Sequence, residues 1–211
     1  EVYPPVGDDE EQIAQVLTEA SASCDLVLTS GSTSASVMDV LYRVVENRGE
    51  LLHHGVAVKP GKPMLVGRIG GSPYVGLPGF PVSALSVFRI FLANVIRKAA
   101  GLPESRTGKD VGKMAIQERY SEGRTRFMPV GTIQDGHGGT LVYPVDKGSG
   151  AITSLVEADG IVEMAAERAV IEKGETVHVK HFSSEVRTPS LLGVGEDDPV
   201  MFELLDSLDR P

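Results

Sequence analysis

CDLVLTSGSTSASVMDVLYRVV, residues 24–45, decides the fold class. It opens with a short apolar run of the kind that forms a strand buried on both faces of a parallel sheet. It closes on Val37, Val40, Leu41, Val44 and Val45, an apolar stripe at helical spacing that ends near Asn47 and Gly49. Between them lie mainly glycine, serine and threonine. Strand, small-residue loop and helix start is the layout in which free backbone N–H groups bind an anion. Gly31 permits close backbone approach, and Ser32, Thr33, Ser34 and Ser36 add hydroxyl donors. A plainer reading competes. Ser36-Val-Met-Asp39 fits a capping box, in which Asp39 only bonds back to the helix start. Asp39 also lies opposite the apolar stripe, where solvated surface is ordinary. Taken alone, the spacing favours the cap.

Upstream, Asp8 to Ala20 reads as a helix capped by Asp8 or Asp9, with Ile13, Val16, Leu17 and Ala20 in phase. Downstream, LLHHGVAVKPGKP (51–63) is a strand running into a proline-bracketed loop. MLVGRIGGSPYVGLPGFP (64–81) reads as strand, turn, strand, loop. Val82 to Ala100 is the strongest helix, with Leu85, Phe88, Leu92 and Val95 in phase and Gly101 as its stop. Helix, strand, helix, strand, strand, helix is the order of an open α/β sheet.

The character changes after Gly101. MAIQERY, RTRFMPVGTIQ, TLVYPV, GIVEMA and ETVHVKH are short strand candidates, and QDGHGG is a hairpin turn. These read as a small all-β barrel or sandwich. With LPESRTGKD as the link, the expected division is an α/β part at 1–103 and a β part at 104–183. An acidic strand-helix tail at 184–211, with Pro199 at the first helical position, reads as the start of a further domain.

Composition limits the function. The 211 residues, 41% hydrophobic, suffice for one large or two modest cores. No apolar run reaches the roughly 18 residues of a spanning helix, and no signal peptide opens the chain. A single cysteine, Cys24, excludes an internal disulfide and fits a reducing, cytoplasmic setting. The net charge of −9 is uneven. Residues 1–20 hold six acids and no bases, and residues 185–211 hold seven acids and two bases. Residues 21–184 therefore carry 18 bases against 16 acids, and can accept an anion. With no basic run and no tryptophan, nothing resembles a nucleic-acid footprint.

Two more loops carry chemistry. In KPGKP (59–63), Lys59 and Lys62 flank a rigid Pro60-Gly61 turn, an arrangement suited to a phosphate or another oxyanion. It is not a P-loop, because proline follows Lys62. In GLPGFPVSA (76–84), Pro78, Gly79 and Pro81 stiffen the entry to the long helix, and Ser83 sits in its first turn among free N–H groups. Each is also readable as an unliganded turn. All three loops follow expected strands, and in a parallel sheet those strand ends share the edge at which ligands bind. In the β part, Arg124 and Arg126 of GRTRF, and Ser149 and Ser154 of GSGAITS, read alone as turn and strand residues. His53 and His54 lack metal-ligand spacing and read as structural. No G-x-S-x-G motif is present.

In this order, TSG-S-TSAS-x-x-D, KPGKP and GLPG-x-PVSA followed by a β domain resemble the molybdenum insertases of molybdenum-cofactor biosynthesis, the MoeA and gephyrin E-domain family. The resemblance runs from about Val6 to about Lys180. It implies a partial molybdopterin-binding, MoeA/MogA-like α/β sheet followed by the family's β-barrel domain. Where that family has TSGG-x-S-x-G-x-x-D, this chain has Ser32 and Ser36 at two glycine positions, while Ser34 and Asp39 match. Phe80 replaces the usual asparagine of GLPGNPVSA, and the wording is closest to archaeal-type members. The serines restrict the backbone where the family has glycine.

The implied reaction joins molybdate to the dithiolene of adenylylated molybdopterin and releases AMP. By resemblance, Asp39 is the essential acid and acts with a divalent metal, Mg²⁺ or another. Lys59 and Lys62 hold molybdate. Ser34 and Ser83 contact the ligand, with Gly31, Pro60, Gly61, Pro78 and Gly79 in the binding loops. Arg124 and Ser149 or Ser154 close the anion site from the β part. The family's members begin further upstream and act as homodimers. The chain is therefore expected to be the C-terminal half of the enzyme, inactive alone, with a molybdopterin adenylyltransferase as an expected partner. The alternative is a non-catalytic molybdopterin- or anion-binding or scaffold module on the same fold. A relative that adenylylates molybdopterin is disfavoured by KPGKP and the attached β part.

Overall fold

The computed structural model describes residues 1–31, 38–105, 107–121, 123–145, 148, 152–184 and 188–190, with Met38 and Asp39 described by their backbone. Helix α1 (Glu10–Ser23) starts at Asp9, whose carboxylate accepts the Gln12 N–H at 2.8 Å. Glu10 and Glu11 in its first turn complement the helix dipole. Of the two expected caps, Asp9 is the one used. Ile13, Leu17 and Ala20 are buried as their spacing predicts.

Strand β1 (Val27–Ser30), helix α2 (Met38–Arg48), and strands β2 (Gly49–His54), β3 (Val58–Lys59), β4 (Leu65–Ile69) and β5 (Ser72–Leu77) follow. Four of these strands form a sheet in the order β1-β5-β4-β2. It is mixed rather than parallel: β1 and β5 run parallel, and β4 is antiparallel to both neighbours. The reason is local. Gly70 and Gly71 both have positive φ (57° and 89°), the requirement of a two-residue primed turn, so β4 and β5 close as a hairpin.

One face of this sheet packs Leu65, Ile69 and Tyr74 against Leu17 of α1 and Leu41, Val44 and Val45 of α2. The other face packs Met64, Val75 and Leu77 under one long helix. That helix runs through α3 (Pro81–Val87), a π-helical turn (Phe88–Leu92) and α4 (Ala93–Ala99). The expected stripe is corrected here. Leu85 is 46% exposed and Val95 61%, while Ala84, Phe88, Leu92 and Ile96 meet the core. A π turn holds more residues than an α turn, so the contact face repeats every fourth residue and drifts out of the α-helical phase.

The second half holds β6 (Lys109–Met114), β7 (Glu118–Arg119), β8 (Thr125–Gln134), β9 (Thr140–Pro144), helix α5 (Thr153–Val156), β10 (Gly160–Met164), β11 (Val170–Ile171) and β12 (Thr176–His181). The order β10-β12-β6-β9-β8 closes through an additional β10–β8 pairing into a five-stranded barrel. Closure leaves these strands without a free long edge. Its interior is filled by Met114, Met128, Val130, Val142, Val162, Met164, Val177 and Val179. Strands β7 and β11 pair separately. The QDGHGG turn joins β8 to β9 as expected, with the Asp135 carboxylate accepting the His137 and Gly139 N–H groups, each at 2.8 Å. These two bonds hold the Asp135 carboxyl below its ordinary pKa.

MAIQERY is not one strand: β6 ends at Met114, where that strand was expected to begin. The true strand, KDVGKM, turns Lys109 and Lys113 outward and carries an exposed Asp110, and so reads as a charged loop. The two halves touch through Arg89, which donates to the Phe182 carbonyl at 3.0 Å and lies 4.6 Å over its ring. Burial pushes the Arg89 guanidinium below its ordinary pKa. The strand and helix expected in the tail fall largely on residues 191–211, outside the described residues. Among the described residues, no helix is long and apolar enough to cross a membrane.

Candidate functional site

Two of the motif loops leave the carboxyl ends of β1 and β5, which run parallel as neighbours. The first leaves β1 at Gly31, which has a φ of +101°. Asp39 lies in the first turn of α2, and its side chain is outside the described part, as are Ser34 and the expected capping residue Ser36. The other leaves β5 through buried Pro78 and exposed Gly79. A Cβ on Gly79 would stand 3.4 Å from the Cα of Gly31, so a side chain at Gly79 would reach the Gly31 backbone. Pro81 then occupies the first turn of α3, where its missing N–H costs nothing. The Ala84 N–H donates to the Phe80 carbonyl at 2.9 Å, and Ser83 is buried in the same turn.

The KPGKP loop arrives by another route, which corrects the sequence expectation. Its strand, β3, does not belong to the α/β sheet. It runs parallel to β8 and extends the barrel's sheet. The Thr125 N–H donates to the Ala57 carbonyl at 2.9 Å, Val58 is register partner of Thr125, and Lys59 of Arg126. The loop closes on itself, with the Val56 N–H donating to the Lys62 carbonyl at 2.9 Å and the Gly55 N–H to that of Met64 at 2.8 Å. The Lys59-Pro60 peptide is cis, and Gly61 has a φ of +116°. A Cβ on Gly61 would run into the Val87 side chain. The lysine turn is thus seated on the helix that the GLPG loop opens.

Lys59 and Lys62 are exposed, Arg124 is half-buried, and none of them makes an ion pair with a described residue. Arg126 is buried with its guanidinium 3.5 Å over the Tyr120 ring, a stacked cation held by the barrel. Tyr120 donates in turn to Glu118 at 2.7 Å. Ser154 is fully buried on α5, and Ser149 is outside the described residues. Among the described residues, no group of three or more His, Cys, Asp and Glu side chains gathers as a metal cage.

Residues 1–98 match the family described as "probable molybdopterin binding domain", and residues 111–182 match the MoeA C-terminal region (domain IV). The chain belongs to the MoeA family. It is 32% identical over 181 residues to a Methanocaldococcus jannaschii protein described as "putative molybdopterin biosynthesis protein", covering 84% of this chain and 42% of that one. It is 30% identical over 181 residues to molybdopterin molybdenumtransferase 2 of Mycobacterium tuberculosis, covering 82% of this chain and 44% of that one. A crystal structure of the MoeA protein of a Pyrococcus species, P. horikoshii, superimposes with a TM-score of 0.67 at 36% identity, over 83% of this chain and 42% of that one. The chain spans less than half the length of these relatives.

Within the MoeA fold, Gly79 comes close to Gly31, and Gly61 packs on Val87 of the helix that follows the GLPG loop. Arg124 directly precedes the β8 segment that pairs with β3. Sequence reasoning missed a pair of residues that ties the end of β1 to β5. Thr29, in the last turn of chain before Gly31, exchanges a hydrogen bond of 2.9 Å with buried Tyr74 of β5. Burial pushes the Tyr74 hydroxyl up to about 12, with the Thr29 bond working the other way. The signal was present as Tyr-x-Gly, a large residue followed two places later, on the same strand face, by one with no side chain.

Proposed function

We propose that this chain carries the nucleotide and oxyanion sites of a molybdenum insertase, which joins molybdate to adenylylated molybdopterin and releases AMP. The observation that carries the reading is the seating of the lysine turn. Gly61 packs on Val87, in the helix that follows the loop whose Gly79 comes close to Gly31. A tetrahedral dianion next to Lys59, Lys62 and Arg124 would be held by donors fixed in advance of the reaction, the arrangement that stabilises charge best. The same cations offset the repulsion between molybdate and a substrate that is itself anionic. The first turn of α2, which begins at Met38, would offer N–H groups to the adenylate phosphate.

By resemblance, a divalent metal would be held by the Asp39 carboxylate together with phosphate oxygens of the substrate, the usual mode for Mg²⁺. When bound there it polarises the phosphoanhydride bond that breaks. The protein's share is positioning: the loops orient the nucleotide, and the lysines hold the oxyanion beside it. Homodimerisation, a cytoplasmic setting and a molybdopterin adenylyltransferase as partner belong to the same reading.

The test supplies adenylylated molybdopterin and molybdate to the natural-length protein and follows AMP release, with and without Asp39→Asn. Release that depends on Asp39 is the expected result. A wild-type protein that binds both ligands and releases no AMP would instead be a binding module on the insertase fold.

A further inference from the structure

We infer that Arg89 is a positioning residue that latches the barrel to the helix on which the KPGKP turn is seated. It fixes the orientation of the two halves in which both of them hold that turn. What the turn binds rests on the oxyanion reading given above; how it is held does not. The barrel is tied to this helix through Val87 and Arg89, neighbours but one in the chain. Val87 takes the turn at Gly61. Arg89 donates to the Phe182 carbonyl at 3.0 Å and lies 4.6 Å over the Phe182 ring. The barrel wall joins these two ties. The turn's strand β3 pairs with β8, β8 with β10, and β10 with β12, and Phe182 follows the last residue of β12. The contacts therefore close a ring that runs from the helix through the lysine turn and the barrel wall back to the helix.

The barrel side of the latch is stiff. The Phe182 N–H donates to the Asp159 carbonyl at 2.9 Å, and the His181 N–H to that of Gly108 at 2.9 Å. The Nε2 of buried His181 lies 2.9 Å from an Asp110 carboxylate oxygen, which pins the end of β12 to β6. The Phe182 carbonyl is thus presented at a fixed place. On the other side, Arg89 stands in the π-helical turn, a local change of helical phase often found at functional positions. Among the described residues no carboxylate pairs with its guanidinium. Its planar fork serves the ring and the carbonyl together, which a lysine does less well. Without this latch the barrel can turn about the two-residue β3–β8 pairing. The lysine turn would then either leave Val87 or lose its strand partner.

The test uses the natural-length protein carrying Cys24→Ser and two spin labels, at Glu19→Cys on α1 and at Lys173→Cys in the barrel, both exposed positions. Labelled protein is diluted into unlabelled protein, so that distances within one chain are read. Arg89→Met keeps the stem of the side chain and removes its donors and charge. It should broaden or split the distance distribution between the halves. Arg89→Lys, which keeps a charged donor, should return most of it to the wild-type shape. Molybdate, titrated calorimetrically, should bind Arg89→Met about threefold to tenfold more weakly, the worth of the one hydrogen bond lost, with binding largely restored in Arg89→Lys. Thermal unfolding checks each variant; a merely structural role would lower the midpoint and leave the affinity of the folded protein unchanged. If Arg89→Met fails to fold, Arg89→Gln takes its place. An unchanged distance distribution overturns the inference, as does unchanged molybdate affinity beside a wild type that binds. A wild type that does not bind molybdate overturns the oxyanion reading alone, and the distances then decide the latch by themselves.

Discussion

Lys59 is the register partner of Arg126 across β3 and β8, so the first lysine of the KPGKP turn is carried by the barrel. The turn itself is seated on the helix after the GLPG loop. One short segment therefore answers to both halves of the chain. Its position is only as stable as a two-residue strand, and such a strand depends on its few hydrogen bonds.

Thr125→Pro tests this dependence. It deletes the N–H that donates to Ala57, at a residue that pairs with β3 before the β10 pairing begins at Arg126. The barrel's own ladder is untouched. A loss of about 1–3 kcal/mol of stability is expected in denaturant unfolding, together with severalfold weaker molybdate binding. Unchanged molybdate affinity would show that β3 does not hold the lysines.

Gly61→Ala should cost about 2–4 kcal/mol, because it adds a side chain at a φ of +116° and drives it into Val87. Val87→Ala alone opens a cavity in the core beneath the long helix, yet in the double variant it removes the overlap. The double variant should therefore be more stable than the sum of the two losses predicts. Strict additivity in a double-mutant cycle would refute the contact.

Lys59→Ala and Lys62→Ala should each leave the unfolding midpoint within about 0.5 kcal/mol of wild type, since both side chains are exposed and neither pairs with a described carboxylate. Molybdate binding should fall about tenfold for each, as expected for a charge-assisted contact. A stability loss with intact molybdate binding would make the lysines structural.

The three motif loops were legible in the sequence because each concentrates residues that serve few structural ends at once. Two lysines around Pro-Gly, or Pro-Gly-Phe-Pro ahead of a helix, stand out from ordinary turns. What stayed hidden depended on distant partners. Nothing in VK, residues 58–59, announces a strand, because its hydrogen bonds go to a segment beyond residue 124. The long helix was found, but its buried face was misread at Leu85 and Val95, since the π turn changes the period that the reading assumes. Strand β6 was displaced because one side of it faces solvent with lysines. Tyr74 looked like one more strand aromatic. Its reach to Thr29 is set by the β1–β5 register, which local pattern does not contain.

Tyr74 also makes a prediction about pH. Its hydroxyl is held near 12 in the fold by burial, against an ordinary tyrosine value near 10. The folded protein therefore keeps this proton where the unfolded chain has lost it. The contribution to stability is fully present below about pH 10, and it drains away as pH rises towards about 12. Over that range the loss amounts to about 2–3 kcal/mol at most. Tyr42 and Tyr143 are shifted upward as well, but they remain in a Tyr74→Phe variant and cancel in the comparison. Urea unfolding of the two proteins from pH 8 to pH 11 should show the wild type losing stability faster than Tyr74→Phe. Parallel curves would mean that the phenol titrates normally and is not sealed in the core.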